Sequence, residues 1–268
     1  MSLFKVAALQ MVSAADLQTN LQQAQMLIAQ AAEQGAQLVA LPEYFCFLGH
    51  KDHDKLALRE QPGHGPIQQF LAQQARQHKL WIVGGTLPLD TGSPNHIYNA
   101  SLVYDSLGNQ VARYDKIHLF GFRKGNEAYD ESVSIKPGSG QPVSVEAPLG
   151  RMGLSICYDL RFPELYRAMG DLTLIVVPSA FTYTTGSAHW EILLRARAIE
   201  NQCYVLAPAQ GGKHQNGRRT WGHSMLVDPW GDILAVHDEG PGVVCGLVDT
   251  ERLNDVRASL PALRHRVL

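Results

Sequence analysis

The sequence predicts a layered α/β fold in which two packed, partly antiparallel sheets lie between helices. Three observations point there. Short, continuous apolar runs recur along the 268 residues, segments with helical periodicity alternate with them, and pairs of extended runs close around turn residues. The hydrophobic fraction of 45% is enough to bury a substantial core, and no repeat, low-complexity tract or linker divides the chain, so residues 1–268 read as one domain.

In order, KVAALQ predicts a strand. The segment NLQQAQMLIAQAAEQGAQ follows with Leu21, Ala24, Leu27, Ile28 and Ala31 on one helical face and stops at Gly35. QLVALPE gives a second strand, PIQQFLAQQARQHK a second helix and LWIVGGTL another extended run. NASLVY and QVARYDK form a hairpin about DSLGN. After the Pro/Gly/Ser-rich stretch KPGSGQPV come strand MGLSIC, a short helix near FPELYRAMG, strand LTLIVVP, helix AHWEILLRARAIEN and strand CYVLAPA. WGHSMLVDPWGDILAV and GVVCGLVD close the pattern as extended segments.

Composition narrows the function. Lys and Arg total 23 against 25 Asp and Glu, a formal charge of −2, and the charges are scattered. That distribution predicts neither a nucleic-acid nor a membrane-surface partner and favours a small molecule. The N-terminus lacks a signal-peptide pattern and no apolar run reaches membrane-span length, so a cytoplasmic protein is expected. The four cysteines are too few and too irregular for a disulfide framework and include no C-x-x-C pair. Cys203 and Cys245 fall in strand-like runs and read as small hydrophobes.

Polar residues placed where apolar strands end are the candidates for chemistry, because α/β folds gather ligands there. Glu43, Lys116 and Cys157 meet this description. A carboxylate can take the thiol proton, an ammonium can favour the thiolate and stabilise an oxyanion, and the Tyr158 N–H can add a second donor. Taken singly, each residue is as compatible with a packed thiol or a solvated strand end.

Together they form a pattern. LVALPEYF, RYDKIHLF and GLSICYDLRFPEL, in that order, resemble the three signature segments of the nitrilase or carbon–nitrogen hydrolase superfamily, with further likeness in PSAF, RARAIENQCYV, GHSMLVDPWG and LPALRHR. The resemblance implies a four-layer α-β-β-α sandwich, a homodimer or larger assembly, and cysteine amidohydrolase chemistry without metal or cofactor. It makes Glu43 the general base and acid, Lys116 the stabiliser of the tetrahedral intermediate and Cys157 the nucleophile. A second glutamate that holds the lysine is implied about fifteen residues on; Glu131, in DES, is favoured over Glu127. Arg161 resembles an arginine of the amidase branches that either pairs with Glu164 to shape the loop, the preferred reading, or faces a substrate carboxylate. His118 stands two residues past Lys116, on the same side of the strand if that strand continues, and the family triad has no use for it. His189, His214 and His223 show no metal-site spacing.

Within the superfamily, CYDLRFPEL and the Glu-Ser/Pro-Gly arrangement resemble the amidase branch that includes deaminated glutathione amidase and omega-amidase. The first is preferred on HLFGFRKGNEAYDES and LPALRHR; N-carbamoyl amino acid hydrolysis, aliphatic amide hydrolysis and a catalytically silent binding role are the alternatives.

Overall fold

The computed structural model describes residues 3–125 and 127–267. The first half of the chain runs β1 (Leu3–Gln10), α1 (Leu17–Glu33), β2 (Leu38–Ala40), α2 (Pro66–His78), β3 (Trp81–Val83), β4 (Leu87–Asp90), β5 (Ile97–Tyr104), β6 (Gln110–Asp115), β7 (Gly121–Lys124) and β8 (Glu127–Asp130). The second half runs β9 (Val143–Ala147), β10 (Gly150–Leu154), α3 (Pro163–Ala168), β11 (Leu174–Val176), α4 (Tyr183–Asn201), β12 (Tyr204–Ala207), β13 (Gly211–Lys213), β14 (Arg219–Trp221), β15 (Ser224–Val227), β16 (Ile233–His237), β17 (Gly242–Asp249) and α5 (Thr250–Ser259).

Two large sheets carry the architecture. One has the order β17-β1-β2-β3-β5-β4, with β6 also paired to β5; the other has the order β16-β15-β12-β11-β10-β9. Each is built around three parallel strands, β1-β2-β3 and β10-β11-β12, with antiparallel neighbours on both sides. The central strands are apolar on both faces because both faces are covered. In β1, Val6 and Ala8 join the core shared with the second sheet, where Met152, Leu154, Val176 and Leu206 also lie. Ala7 and Leu9, pointing the other way as strand alternation requires, join Leu21, Ala24 and Ile28 of α1 and Leu71 and Ala75 of α2. Trp190, Leu194 and Ala198 of α4 pack on the second sheet's side. The result is a four-layer α-β-β-α sandwich.

Helix ends depart from the apolar pattern. α1 begins at Leu17 because the Asp16 carboxylate accepts from the Thr19 N–H, and α4 begins at Tyr183 because Thr182 Oγ1 accepts from the Thr185 N–H. Periodicity alone starts both helices several residues late. The loop-like HLFGFRKGNEAYDES contains the hairpin β7–β8. Two other differences are small: Cys203 lies one residue ahead of β12, and β10 ends at Leu154, three residues before Cys157. Among the described residues no helix is long and apolar enough to cross a membrane.

Candidate active site

Strand ends of both sheets meet at one place. Glu43 follows β2 in the tight turn Pro42–Phe45, and Tyr44 after it takes a left-handed backbone, φ 57°. The turn is closed from below by Gly85, φ 53°, where a Cβ would stand 2.2 Å from the Pro42 carbonyl oxygen, so only glycine fits. Lys116 follows β6, its N–H donating to the Asn99 carbonyl at 3.0 Å. Cys157 opens a 3-10 turn, Cys157–Arg161, rather than ending a strand. Its φ of 49° is costly for a residue with a Cβ, roughly 1–2 kcal/mol, and its N–H is held on the Pro178 carbonyl at 2.9 Å.

Lys116 Nζ donates to Glu43 Oε1 at 2.8 Å and reaches Glu131 Oε2 at 2.8 Å. Glu43 also accepts from Asn99 Nδ2 at 2.9 Å. Glu131 accepts from the Tyr44 hydroxyl at 2.6 Å and the Phe120 N–H at 2.7 Å. Thus Glu131 meets the lysine, whereas Glu127 accepts from Thr184 Oγ1. Glu43 and Lys116 are each 1% exposed and Cys157 7%, so the cluster is almost wholly shielded from bulk solvent. Glu43, Glu131 and Cys157 line one narrow pocket with Tyr158, Arg161 and Arg218.

Two carboxylates share one ammonium, and their surroundings separate them. Burial pushes the Glu43 carboxyl up, Lys116 opposes this, and the Glu131 charge adds to it. At Glu131 burial also disfavours the charge, but Lys116, the Phe120 N–H and the Tyr44 hydroxyl outweigh it and hold the carboxyl below its ordinary value. Lys116 loses hydration on burial, yet the two carboxylates hold it above the usual lysine range. The Cys157 thiol is pushed well up by burial and then by the Glu43 charge, while Lys116 and a backbone hydrogen bond from Ala180 pull the other way. These opposed directions make the thiol harder to ionise than a free cysteine, hold Lys116 charged, and make Glu43 the carboxylate that accepts a proton more readily.

Other expected residues find different places. Arg161 does not pair with Glu164: its Nη1 donates to His189 Nδ1 at 3.2 Å, and its guanidinium lies over the rings of Tyr158 and Phe181. Tyr158 meets Phe120 and Phe162 edge to face. Its N–H sits in the first turn of the 3-10 segment, where no acceptor exists within the turn. β6 stops at Asp115, so His118 is not carried along Lys116's strand face. It stacks on Phe162 and bonds Asp159 Oδ1 through Nδ1 at 2.7 Å. His214 is buried between the Ser13 carbonyl and Thr220 Oγ1.

Asp159, Tyr44, Asn99 and Arg218 escaped the sequence reading. Only Asp159 had a signal: an acid three residues past Ile156 occupies the position from which a capping carboxylate reaches back, and Asp159 Oδ2 accepts the Ile156 N–H at 2.9 Å.

Comparison with known proteins places the chain in a family. The carbon-nitrogen hydrolase family model matches residues 5–258. A deaminated glutathione amidase from Synechocystis sp. is 44% identical over 270 residues, covering 98% of each chain. Among solved structures, the NitFhit protein of C. elegans superposes with a TM-score of 0.90 at 40% identity, covering 100% of this chain and 66% of that one. Nit3 of Saccharomyces cerevisiae, a member of branch 10 of the nitrilase superfamily, gives 0.88 at 31% identity over 100% of this chain and 97% of that one. This chain belongs to the carbon–nitrogen hydrolase family. It is a hydrolase of non-peptide carbon–nitrogen bonds, and its chemistry is amide cleavage.

Proposed function

We propose that the protein is a deaminated glutathione amidase working through Cys157, Glu43, Lys116 and Glu131. The observation that carries the reading is the buried array in which Lys116 bridges Glu43 and Glu131 at 2.8 Å, the two glutamates lining one pocket with Cys157; the Synechocystis relative supports the substrate.

The steps follow from the proton positions. Glu43 takes the thiol proton as Cys157 Sγ attacks the amide carbon. The oxyanion meets Lys116 Nζ and the Tyr158 N–H, two donors fixed before the substrate arrives. Collapse breaks the C–N bond, Glu43 returns the proton to the departing amine, and a thioester remains on Cys157. Water then attacks with Glu43 again as base, and the acid product leaves as the thiol regains its proton. Glu131 acts through Lys116, holding it charged and in place. Tyr158 walls the pocket, and Arg161, whose neighbours are a histidine nitrogen and two rings, is suited to the keto-acid carboxylate of the acyl half.

We also read residues 1–268 as one domain acting in the cytoplasm without metal or cofactor, as a homodimer or larger assembly. The four cysteines are free, in keeping with a reducing compartment. Exposed Ile192, Ile233 and Val236 line one groove with Trp190 and Trp221, an apolar face suited to a second copy.

The test is release of amine or ammonia from deaminated glutathione, α-ketoglutaramate, a carbamoyl amino acid and a short aliphatic amide, with Cys157→Ala as blank. Preference for deaminated glutathione, releasing cysteinylglycine, is expected. Preference for another amide moves the substrate, and silence on all four overturns the reading in favour of a binding role.

A further inference from the structure

Next to the pocket of Cys157 lies a wider cavity of about 540 Å³, lined by Tyr44, Lys51, Asp52, Lys55, Tyr129 and Arg218 among others. Its fixed charges are three cations against one carboxylate. Arg218 lines both cavities, so it stands where one opens into the other. Tyr44 forms the wall between them, its hydroxyl on Glu131 and its ring facing the Lys55 ammonium at 5.0 Å.

Neither cation is used up. The Arg218 guanidinium lies 4.6 Å over the Tyr129 ring, and its Nε is shielded from solvent with no acceptor. Among the described residues neither Arg218 nor Lys55 has a carboxylate at ion-pair distance; burial disfavours the Lys55 charge, and the more distant Glu131 and then Asp52 offset this only in part. Two half-buried cations on aromatic faces, one with an orphaned donor, are costly unless an anion visits them. Deaminated glutathione carries two carboxylates, one on the keto acid and one on the glycine of the leaving amine. Arg161 lines the pocket of Cys157 and not the wider cavity, so the two halves of such a substrate can meet different cations.

We propose that Arg218 and Lys55 form a second carboxylate site that holds the C-terminal carboxylate of the departing amine. The proposal rests on the deaminated glutathione reading and adds what selects the leaving group: an amide whose amine half ends in an acid. Arg218, planar and two-donor, makes the direct contact, and Lys55 adds a point charge at the rim.

The experiment compares steady-state constants for deaminated glutathione and for its C-terminal carboxamide. In the wild type, KM is expected to be roughly ten- to a hundredfold lower for the acid, the worth of one charge-assisted hydrogen-bond pair. Arg218→Gln should bring the two KM values within about threefold of each other, Arg218→Lys should keep part of the preference, and Lys55→Met should lower it less than Arg218→Gln does. Equal KM values in the wild type, or an unchanged ratio in both Arg218→Gln and Lys55→Met, overturn the site while leaving the substrate reading intact. A wild type that ignores deaminated glutathione but cleaves α-ketoglutaramate overturns both.

Discussion

Two buried carboxylates flank Cys157, and they are built differently. Asp159 accepts from the Tyr114 hydroxyl at 2.7 Å, from the Ile156 and His118 N–H groups at 2.9 and 3.1 Å, and from the His118 ring at 2.7 Å. Every one of those donors belongs to a segment whose position it fixes: the strand before Lys116, the loop after it, and the turn that presents Cys157. Glu43, on the other side, has a single amide donor, a share of one ammonium and the weak donor of the Cys157 thiol. Complete satisfaction makes a carboxylate a fastener; incomplete satisfaction leaves it able to accept a proton.

The sharpest way to break this contrast is at the atom between the two. Cys157→Ala should lower turnover by about 10⁴-fold or more while the protein still folds, because the side chain is small and its backbone is pinned independently; retained turnover in a purified variant would sink the nucleophile assignment. Glu43→Gln should cost about 10²- to 10⁴-fold in kcat with substrate binding kept. A base works only when ionised, and burial raises the Glu43 pKa; if Glu43 is the base, as proposed, wild-type kcat/KM should fall with decreasing pH at values above the ordinary carboxylate range, and this acid limb should be missing from Glu43→Gln. A pH–rate profile measures it, and an identical limb in the variant would assign the titration elsewhere.

Asp159→Asn tests the fastener. An amide there must place an NH2 against one of the present donors, so unfolding free energy should drop by about 1–3 kcal/mol, read by denaturant titration. Glu43→Gln in the same assay should change stability less, since it exchanges a buried charge for a neutral group while Lys116 keeps Glu131. Equal stability losses would erase the distinction. Tyr44→Phe is the smallest perturbation: it removes one of Glu131's hydrogen bonds and should reduce kcat by less than about tenfold, with the unfolding free energy down by roughly 1 kcal/mol.

Legibility in the sequence follows the same division. The apolar runs that became β1, β2, β11 and β17 were readable because burial on both faces or strict alternation leaves a mark in composition. The start of α4 was not, because one threonine side chain decides it and the first residues, YTTG, are poor helix formers. Glu43, Lys116 and Cys157 stood out by residue type at strand ends and by resemblance, but nothing linear says that they converge. Arg161 offered the nearby Glu164 as a partner, and the structure gives it His189, twenty-eight positions away. Arg218 had no local signal at all, since only the packing of its loop against β8 and the turn after β2 shows what it faces.

The pairing of strand ends across the sandwich has a kinetic meaning. Glu43 and Lys116 hang from the sheet of β1, β2, β5 and β6, while Cys157 hangs from the sheet of β10 and β11. A chain with either sheet formed alone carries half a reaction centre and cannot acylate. Under the proposed mechanism, a refolding chain therefore gains acylation only once the two sheets have docked, so thioester formation would report that docking.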